Sequence, residues 1–135
     1  MFPSNPTSQG RFSTVKKSHK AILGALLISE KPLRPYNRGA KIFWTLDFLA
    51  PSGPFWDTQH PLIVPDRKVG EMIDLGLLTP PKEDSVFLSI AGASIANGSE
   101  HDWTSYWSYF YDRKYGHRFD WIRYFKTGII YTNLG

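Results

Sequence analysis

The stretch from Pro65 to Asn97 constrains the fold more than any other part of this chain. Apolar residues recur at helical spacing in its first turns, and Gly76 follows where a left-handed residue would end a helix. A polar, proline-rich segment comes next, then a β-prone run, then Ser89, a residue type that caps helices. The order predicts a helix over 66–75, a hairpin loop over 79–85, a strand over 86–88 and a second helix over 89–96.

Apolar periodicity predicts two more helices upstream. The first begins near Ser13 or Thr14 and ends before Pro32, because the residue before a proline avoids helical angles. The second covers 37–46. Residues 50–65 then contain four prolines and two large aromatic side chains, which predicts a long irregular loop. We expect Phe55 and Trp56 to pin this loop to the body of the protein or to contact a partner.

The C-terminal 35 residues hold 12 of the 21 aromatic side chains. Four of them recur at i, i+3, i+4 and i+7, which predicts one buried helical face: Trp103, Tyr106, Trp107 and Phe110. The remaining tyrosines are candidates for an exposed surface: Tyr109, Tyr111, Tyr115 and Tyr124. Gly116 would end this helix. Further helical turns are predicted over 119–125 and a strand over 128–133.

Positive charge is concentrated at the two ends of the chain. The net charge is +4, but residues 1–41 carry +7, residues 42–100 carry −5 and residues 101–135 carry +2. A basic N-terminal region is compatible with a polyanionic partner or with a solvated helix face. The absence of cysteine excludes disulfides and suits a reducing compartment, so we expect a cytoplasmic protein. The longest apolar run, 21–28, is too short to span a bilayer.

Residues 15–97 resemble a winged helix-turn-helix domain. The resemblance rests on HKAILGALLISEKPLRPY, EMIDLGLLTPP and VFLSIAGASIA. It implies an α+β fold: a winged-helix-like core of three to four helices with a small β-hairpin wing, here followed by an aromatic-rich C-terminal helical extension. Residues 1–13 would then be a flexible basic arm and 14–135 a single domain, divided into a core over 14–97 and an extension over 98–135.

The resemblance implies a protein that binds nucleic acid, in particular duplex DNA. The implied contacts are Arg67 and Lys68 in the third helix, Lys82 in the wing, Lys16, Lys17 and Lys20 in the first helix, and Arg11 in the arm. The sequence departs from the family in two ways. Residues 47–64 lengthen the connection before the third helix. That helix is also nearly neutral, since Asp66, Glu71 and Asp74 accompany its cations.

An alternative hypothesis is a small protein-interaction module, for example an inhibitor or adaptor from a mobile element or phage. Its partner protein would contact the aromatic loop and the C-terminal surface. The candidate contacts are Phe55, Trp56, Tyr109, Tyr111 and Tyr115. Aromatic side chains dominate the energetics of protein interfaces, which is why this interpretation uses them.

No catalytic, cofactor or metal motif is found. The four histidines lack the spacing of a metal site, and there is no glycine-rich phosphate loop or nucleophile motif. Glu100, His101 and Asp102 are adjacent, but acidic residues also open helices because they interact favourably with the helix dipole. We therefore expect a protein that is not an enzyme and needs no cofactor; a hydrolase using His101 or His117 is a third hypothesis.

Overall fold

The computed structural model describes residues 15–46, 62–116 and 119–127. These residues form an α+β structure of five helices and a three-stranded antiparallel sheet. The helices are α1 (Lys17–Ser29), α2 (Asp66–Asp74), α3 (Ile90–Gly98), α4 (Glu100–Tyr115) and α5 (Trp121–Thr127). The strands are β1 (Leu33–Arg38), β2 (Lys41–Leu46) and β3 (Val64–Pro65). The arm 1–13, the loop residues Phe55 and Trp56, and the predicted strand 128–133 lie outside the described residues.

The predicted helix over 37–46 is wrong, because these residues belong to a β-hairpin. β1 and β2 pair from Leu33 opposite Leu46 to Arg38 opposite Lys41. The two-residue connection contains Gly39 with φ +62°, a conformation that glycine adopts without strain. The run Ile-Phe-Trp-Thr in β2 consists of β-branched and aromatic residues, which favour strands. β3 adds to the other edge of β2 and leads directly into α2.

The predicted order of helix, hairpin and helix over 66–98 is confirmed. α2 ends at Asp74, and Gly76 has the expected left-handed φ of +79°. The hairpin turn lies between Lys82 and Ser85, whose backbones exchange two hydrogen bonds of 2.9 and 3.0 Å. Its central residues, Glu83 and Asp84, both have positive φ, as a two-residue type I′ turn requires. In place of a continuous strand over 86–88, isolated bridges form at Val86 and Leu88.

Ser89 joins the end of α2 to the beginning of α3. Its Oγ accepts a 2.9 Å hydrogen bond from the Gly92 N–H, which is the predicted N-cap. The same hydroxyl donates to the Gly76 carbonyl at 2.6 Å. Gly92 lies so close to the preceding chain that a Cβ there would be 2.1 Å from the Leu77 carbonyl oxygen. The two glycines and the serine therefore fix the angle between the two helices.

Helix α1 occupies the centre of the core. It begins later than predicted, at Lys17, and every residue from Ala21 to Leu26 is buried. Helix α4 packs on the small residues of α1, with the Trp103 ring directly against Gly24. The Trp107 indole Nε1 donates a 2.8 Å hydrogen bond to the Ala21 carbonyl oxygen, so even the polar atom of this ring is satisfied inside the core.

The buried face of α4 is rotated from the one predicted. Its fully buried residues recur every four positions: Trp103, Trp107 and Tyr111. Tyr106 and Phe110 flank this row and are half-buried. The prediction that Tyr111 and Tyr124 are exposed is therefore wrong, since their exposed fractions are 0% and 4%. The Tyr111 ring stacks on Trp107 at a centroid distance of 5.9 Å and belongs to the aromatic core.

Replacing Gly92 with alanine is expected to destabilise the protein by about 1–3 kcal/mol. The new methyl group would meet a backbone carbonyl that cannot move without shifting the end of α2. Gly98→Ala in the same helix is the matched control, because a Cβ at that position would have no atom within 4 Å. The control should be neutral or stabilising by up to about 1 kcal/mol. Urea unfolding measures both, and equal stability of the two variants would contradict the role given to Gly92.

Candidate functional site

The N-terminal turn of α1 and the first turn of α2 bring together lysines that are far apart in the sequence. The Lys68 Nζ donates a 3.0 Å hydrogen bond to the Ser18 Oγ, and Lys16 is the N-cap residue of the same helix. Burial lowers the pKa of Lys68, Glu71 raises it, and the charge of Lys16 lowers it to a lesser extent. We call Lys16 and Lys68 the α1–α2 lysine pair.

A buried histidine lies beneath this pair. His19 is 1% exposed. Its Nδ1 accepts a 3.0 Å hydrogen bond from the Lys16 backbone N–H, so its Nε2 carries the proton and donates to Glu71 Oε1 at 3.0 Å. Burial lowers the pKa of His19, the Glu71 hydrogen bond raises it, and Lys68 and Lys16 lower it, with a net decrease. The imidazole is thus neutral at pH 7 and links the two helices.

The other predicted lysines of α1 face α4. Lys20 Nζ bonds to Asp102 Oδ2 at 3.1 Å, and this hydrogen bond is the main reason that the pKa of Asp102 is lowered. Asp102 belongs to the first turn of α4 together with Glu100, as the helix-dipole interpretation predicts. Lys20 is therefore already paired with a carboxylate. Lys17 is exposed and lies within electrostatic reach of the same aspartate.

Lys17 also forms one side of an open groove along α4. The groove has a volume of about 830 Å³. Its lining consists of Lys17, Ser105, Tyr106, Tyr109, Phe110, Arg113 and Lys114. Arg113 Nη1 donates a 2.7 Å hydrogen bond to the Tyr109 hydroxyl. The Lys114 ammonium lies 5.6 Å from the centre of the Phe110 ring, within cation–π distance. We call this feature the α4 groove.

The contacts predicted from the sequence include only two of the groove residues, Lys17 and Tyr109, and assign them to different partners. The other groove residues of α4 could have been grouped from their helical spacing in the sequence. Arg113 follows Tyr109 by four positions and Lys114 follows Phe110 by four, so each cation lies beside a ring on the same helix face. Lys17 could not be placed there from the sequence, because the contact depends on how α1 crosses α4.

The acidic residues of α2 have structural contacts. Asp66 Oδ1 accepts a 2.8 Å hydrogen bond from the Trp44 indole and so ties α2 to β2. Glu71 holds His19, as described above. Arg67 is exposed in the first turn of the helix. The near-neutral charge of α2 therefore reflects its attachment to the rest of the fold.

The remaining predicted contact residues lie outside both the α1–α2 lysine pair and the α4 groove. Lys82 is exposed in the hairpin turn, where Glu83 and Asp84 follow it directly. Tyr115 is 36% exposed near the end of α4, while Tyr111 is buried and cannot meet a partner without local unfolding. Arg11, Phe55, Trp56 and His117 lie outside the described residues.

Neither a metal site nor a membrane segment is found in the part of the chain that the structure describes. No three His, Asp or Glu side chains there lie close enough together to hold a metal ion. None of its helices combines the length and apolarity needed to cross a membrane. Comparisons with protein-family models, curated proteins and solved structures find no match to this chain.

The buried His19 is expected to make stability depend on pH. A histidine whose pKa is lower in the folded state contributes stability that is complete above the unfolded value of 6.5 and is lost as pH falls from there toward the folded pKa. In that window the free energy of unfolding should decrease by up to about 1.4 kcal/mol per pH unit. Urea unfolding at a series of pH values from 7.5 to about 5 measures the slope.

Two variants separate this effect from other titrations. His19→Gln keeps a donor and an acceptor at the capping position but does not titrate, so it should flatten the slope. His101→Gln removes an exposed histidine of α4 and should leave the slope intact. A His19→Gln protein with the wild-type slope would show that the titration arises elsewhere.

Proposed function

We propose that the protein is a non-enzymatic, cytoplasmic nucleic-acid-binding protein with a winged-helix-like core, and that it binds duplex DNA. The observation that carries the proposal is the α1–α2 lysine pair. Lys68 reaches the N-terminal turn of α1 through its hydrogen bond to Ser18, so two cations about fifty residues apart in the sequence lie at one surface. A bound phosphate backbone would be attracted to both lysines.

The arrangement of α2 and the following hairpin supports a winged-helix mode of binding. In this proposal α2 approaches the major groove with Arg67 at its N-terminal end, where recognition helices contact base edges. The hairpin is the wing, and Lys82 at its turn contacts the backbone. Residues 33–46 form a hairpin rather than the second helix of a helix-turn-helix pair. The proposed DNA-binding unit therefore consists of the helix α2 and the hairpin that serves as its wing, and α1 packs against it.

Most of the proposed contacts are to phosphate. Lys16, Lys17 and Lys68 surround the N-terminal turn of α1, and Lys20 contributes less because Asp102 already neutralises it. For Arg11, which lies outside the described residues, the winged-helix resemblance implies a groove contact. Since lysine acts as a point charge on phosphate, the proposed complex depends on salt more than on sequence.

Removal of the α1–α2 lysine pair tests the proposal. Lys16→Ala combined with Lys68→Ala should weaken duplex binding by a similar factor for unrelated sequences. The slope of log affinity against log salt concentration should become shallower by about 2, because each lost phosphate contact accounts for about 0.9. Fluorescence anisotropy with labelled duplexes at several salt concentrations measures both quantities.

Lys41→Ala combined with Lys126→Ala is the charge-matched control, because both lysines are exposed and lie outside the lysine pair. It should leave the slope unchanged. The proposal fails if the wild-type protein does not bind duplex DNA at low salt, or if the variant without the lysine pair and the control have the same slope.

A protein-interaction module is the second candidate, favoured by one surface feature. Ile90 is 92% exposed at the start of α3, and Phe87 in the adjacent hairpin is 47% exposed. Exposed apolar side chains in neighbouring positions are typical of protein interfaces. Under this hypothesis, Phe87→Ser with Ile90→Ser abolishes the stoichiometric association with a protein partner and leaves duplex affinity unchanged. Loss of duplex affinity in that variant would assign the surface to nucleic acid.

A further inference from the structure

The charged side chains that line the α4 groove are all cationic. Lys17 comes from α1, and Arg113 and Lys114 come from the last turn of α4. Among the described residues, the lining contains no carboxylate. Asp102, which is within electrostatic reach of Lys17, receives the hydrogen bond of Lys20. The groove therefore favours an anionic ligand.

Aromatic rings form the rest of the groove. Tyr109 is 64% exposed, and its hydroxyl is held by Arg113, so the ring is oriented while much of its surface remains accessible. Tyr106 and Phe110 are half-buried beside it. Such rings offer flat surfaces on which another planar group can stack.

The groove places aromatic rings and cations within reach of one ligand. From Tyr106 to Lys114 it extends eight residues along α4, which is about 12 Å at the helical rise. Three rings come first along this length, two cations follow them, and Lys17 adds a third cation from α1. A single nucleic-acid strand carries one phosphate and one base per unit, so it satisfies both features at once. An acidic peptide would use the cations only, and in a duplex the bases are stacked inside and cannot reach the rings.

We propose that the α4 groove binds single-stranded nucleic acid, with bases stacked on Tyr109 and its neighbouring rings and phosphates held by Lys17, Arg113 and Lys114. This site is distinct from the duplex contact proposed above, although Lys17 borders both. Either proposal can fail without the other, because Tyr109, Arg113 and Lys114 take no part in the duplex proposal.

The test compares two single-stranded probes of equal charge. One is a fluorescent oligothymidylate of about ten nucleotides, and the other is an abasic sugar-phosphate strand of the same length. The wild-type protein should bind the first more tightly. Tyr109→Ala should weaken oligothymidylate binding about tenfold to a hundredfold and leave abasic binding unchanged. Tyr109→Phe retains the ring and should restore most of the affinity.

Three controls keep the outcome interpretable. Ile42→Ala removes an exposed apolar side chain of β2, outside the groove, and should not change either affinity. Urea unfolding should give the same stability for Tyr109→Ala as for the wild-type protein, because the ring is largely exposed. Duplex affinity should also be unaffected by Tyr109→Ala, so the two proposals can fail separately.

Two results would overturn the proposal. Equal wild-type affinity for the abasic strand and the oligothymidylate would show that only the charges bind. An oligoglutamate peptide that binds more tightly than oligothymidylate, and loses affinity in Tyr109→Ala, would assign the groove to an acidic protein segment.

Discussion

The packing of two tryptophans from α4 against the small residues of α1 is the contact on which the rest of the structure depends. Trp103 lies against Gly24, and Trp107 bonds to the Ala21 carbonyl. Burying one such ring contributes roughly 4–6 kcal/mol as an upper value. A larger residue at position 24 would push the helices apart. Because α1 also contacts α3 and α5, this spacing determines how every helix in the C-terminal half is placed.

The burial of α1 has a direct consequence for its charges. From Ala21 to Leu26 the helix has no exposed surface, so its cations are confined to the first turn. That turn lies between α2 and α4. Lys68 therefore reaches this turn on one side through Ser18, while Lys17 borders the α4 groove on the other. His19 beneath them fixes the turn through hydrogen bonds to the Lys16 backbone and to Glu71. The two candidate sites thus share one rigid support.

Local signals explain what could be predicted from the sequence. Gly76 and Ser89 act on neighbouring residues, so the helix–hairpin–helix order over 66–98 was predictable from their positions. The hairpin over 33–46 was not, because Phe43 and Trp44 fit a helical face as well as a strand. Its strand state depends on the pairing of β1 with β2 over six positions and on β3, which pairs with β2 at two positions about twenty residues later. Likewise, α4 has aromatic residues on several faces, and Tyr111 is buried because Phe119 and Phe125, from the chain that follows α4, pack against its ring. The His19–Glu71 bond joins residues 52 positions apart and leaves no local pattern.

The acidic residues of α2 show why fold and charge are coupled in this protein. Asp66 and Glu71 lower the positive charge of the helix, yet each holds a partner that the fold requires, Trp44 and His19 respectively. Replacing either acid to increase attraction for phosphate would leave a buried donor without its acceptor, which costs about 1–3 kcal/mol. The chain therefore retains a near-neutral α2, and further accessible cations lie on the neighbouring surfaces of α1 and α4. Because α2 is nearly neutral, it contributes little electrostatic attraction by itself. Any polyanion would be held mainly by the lysines and arginine around this helix.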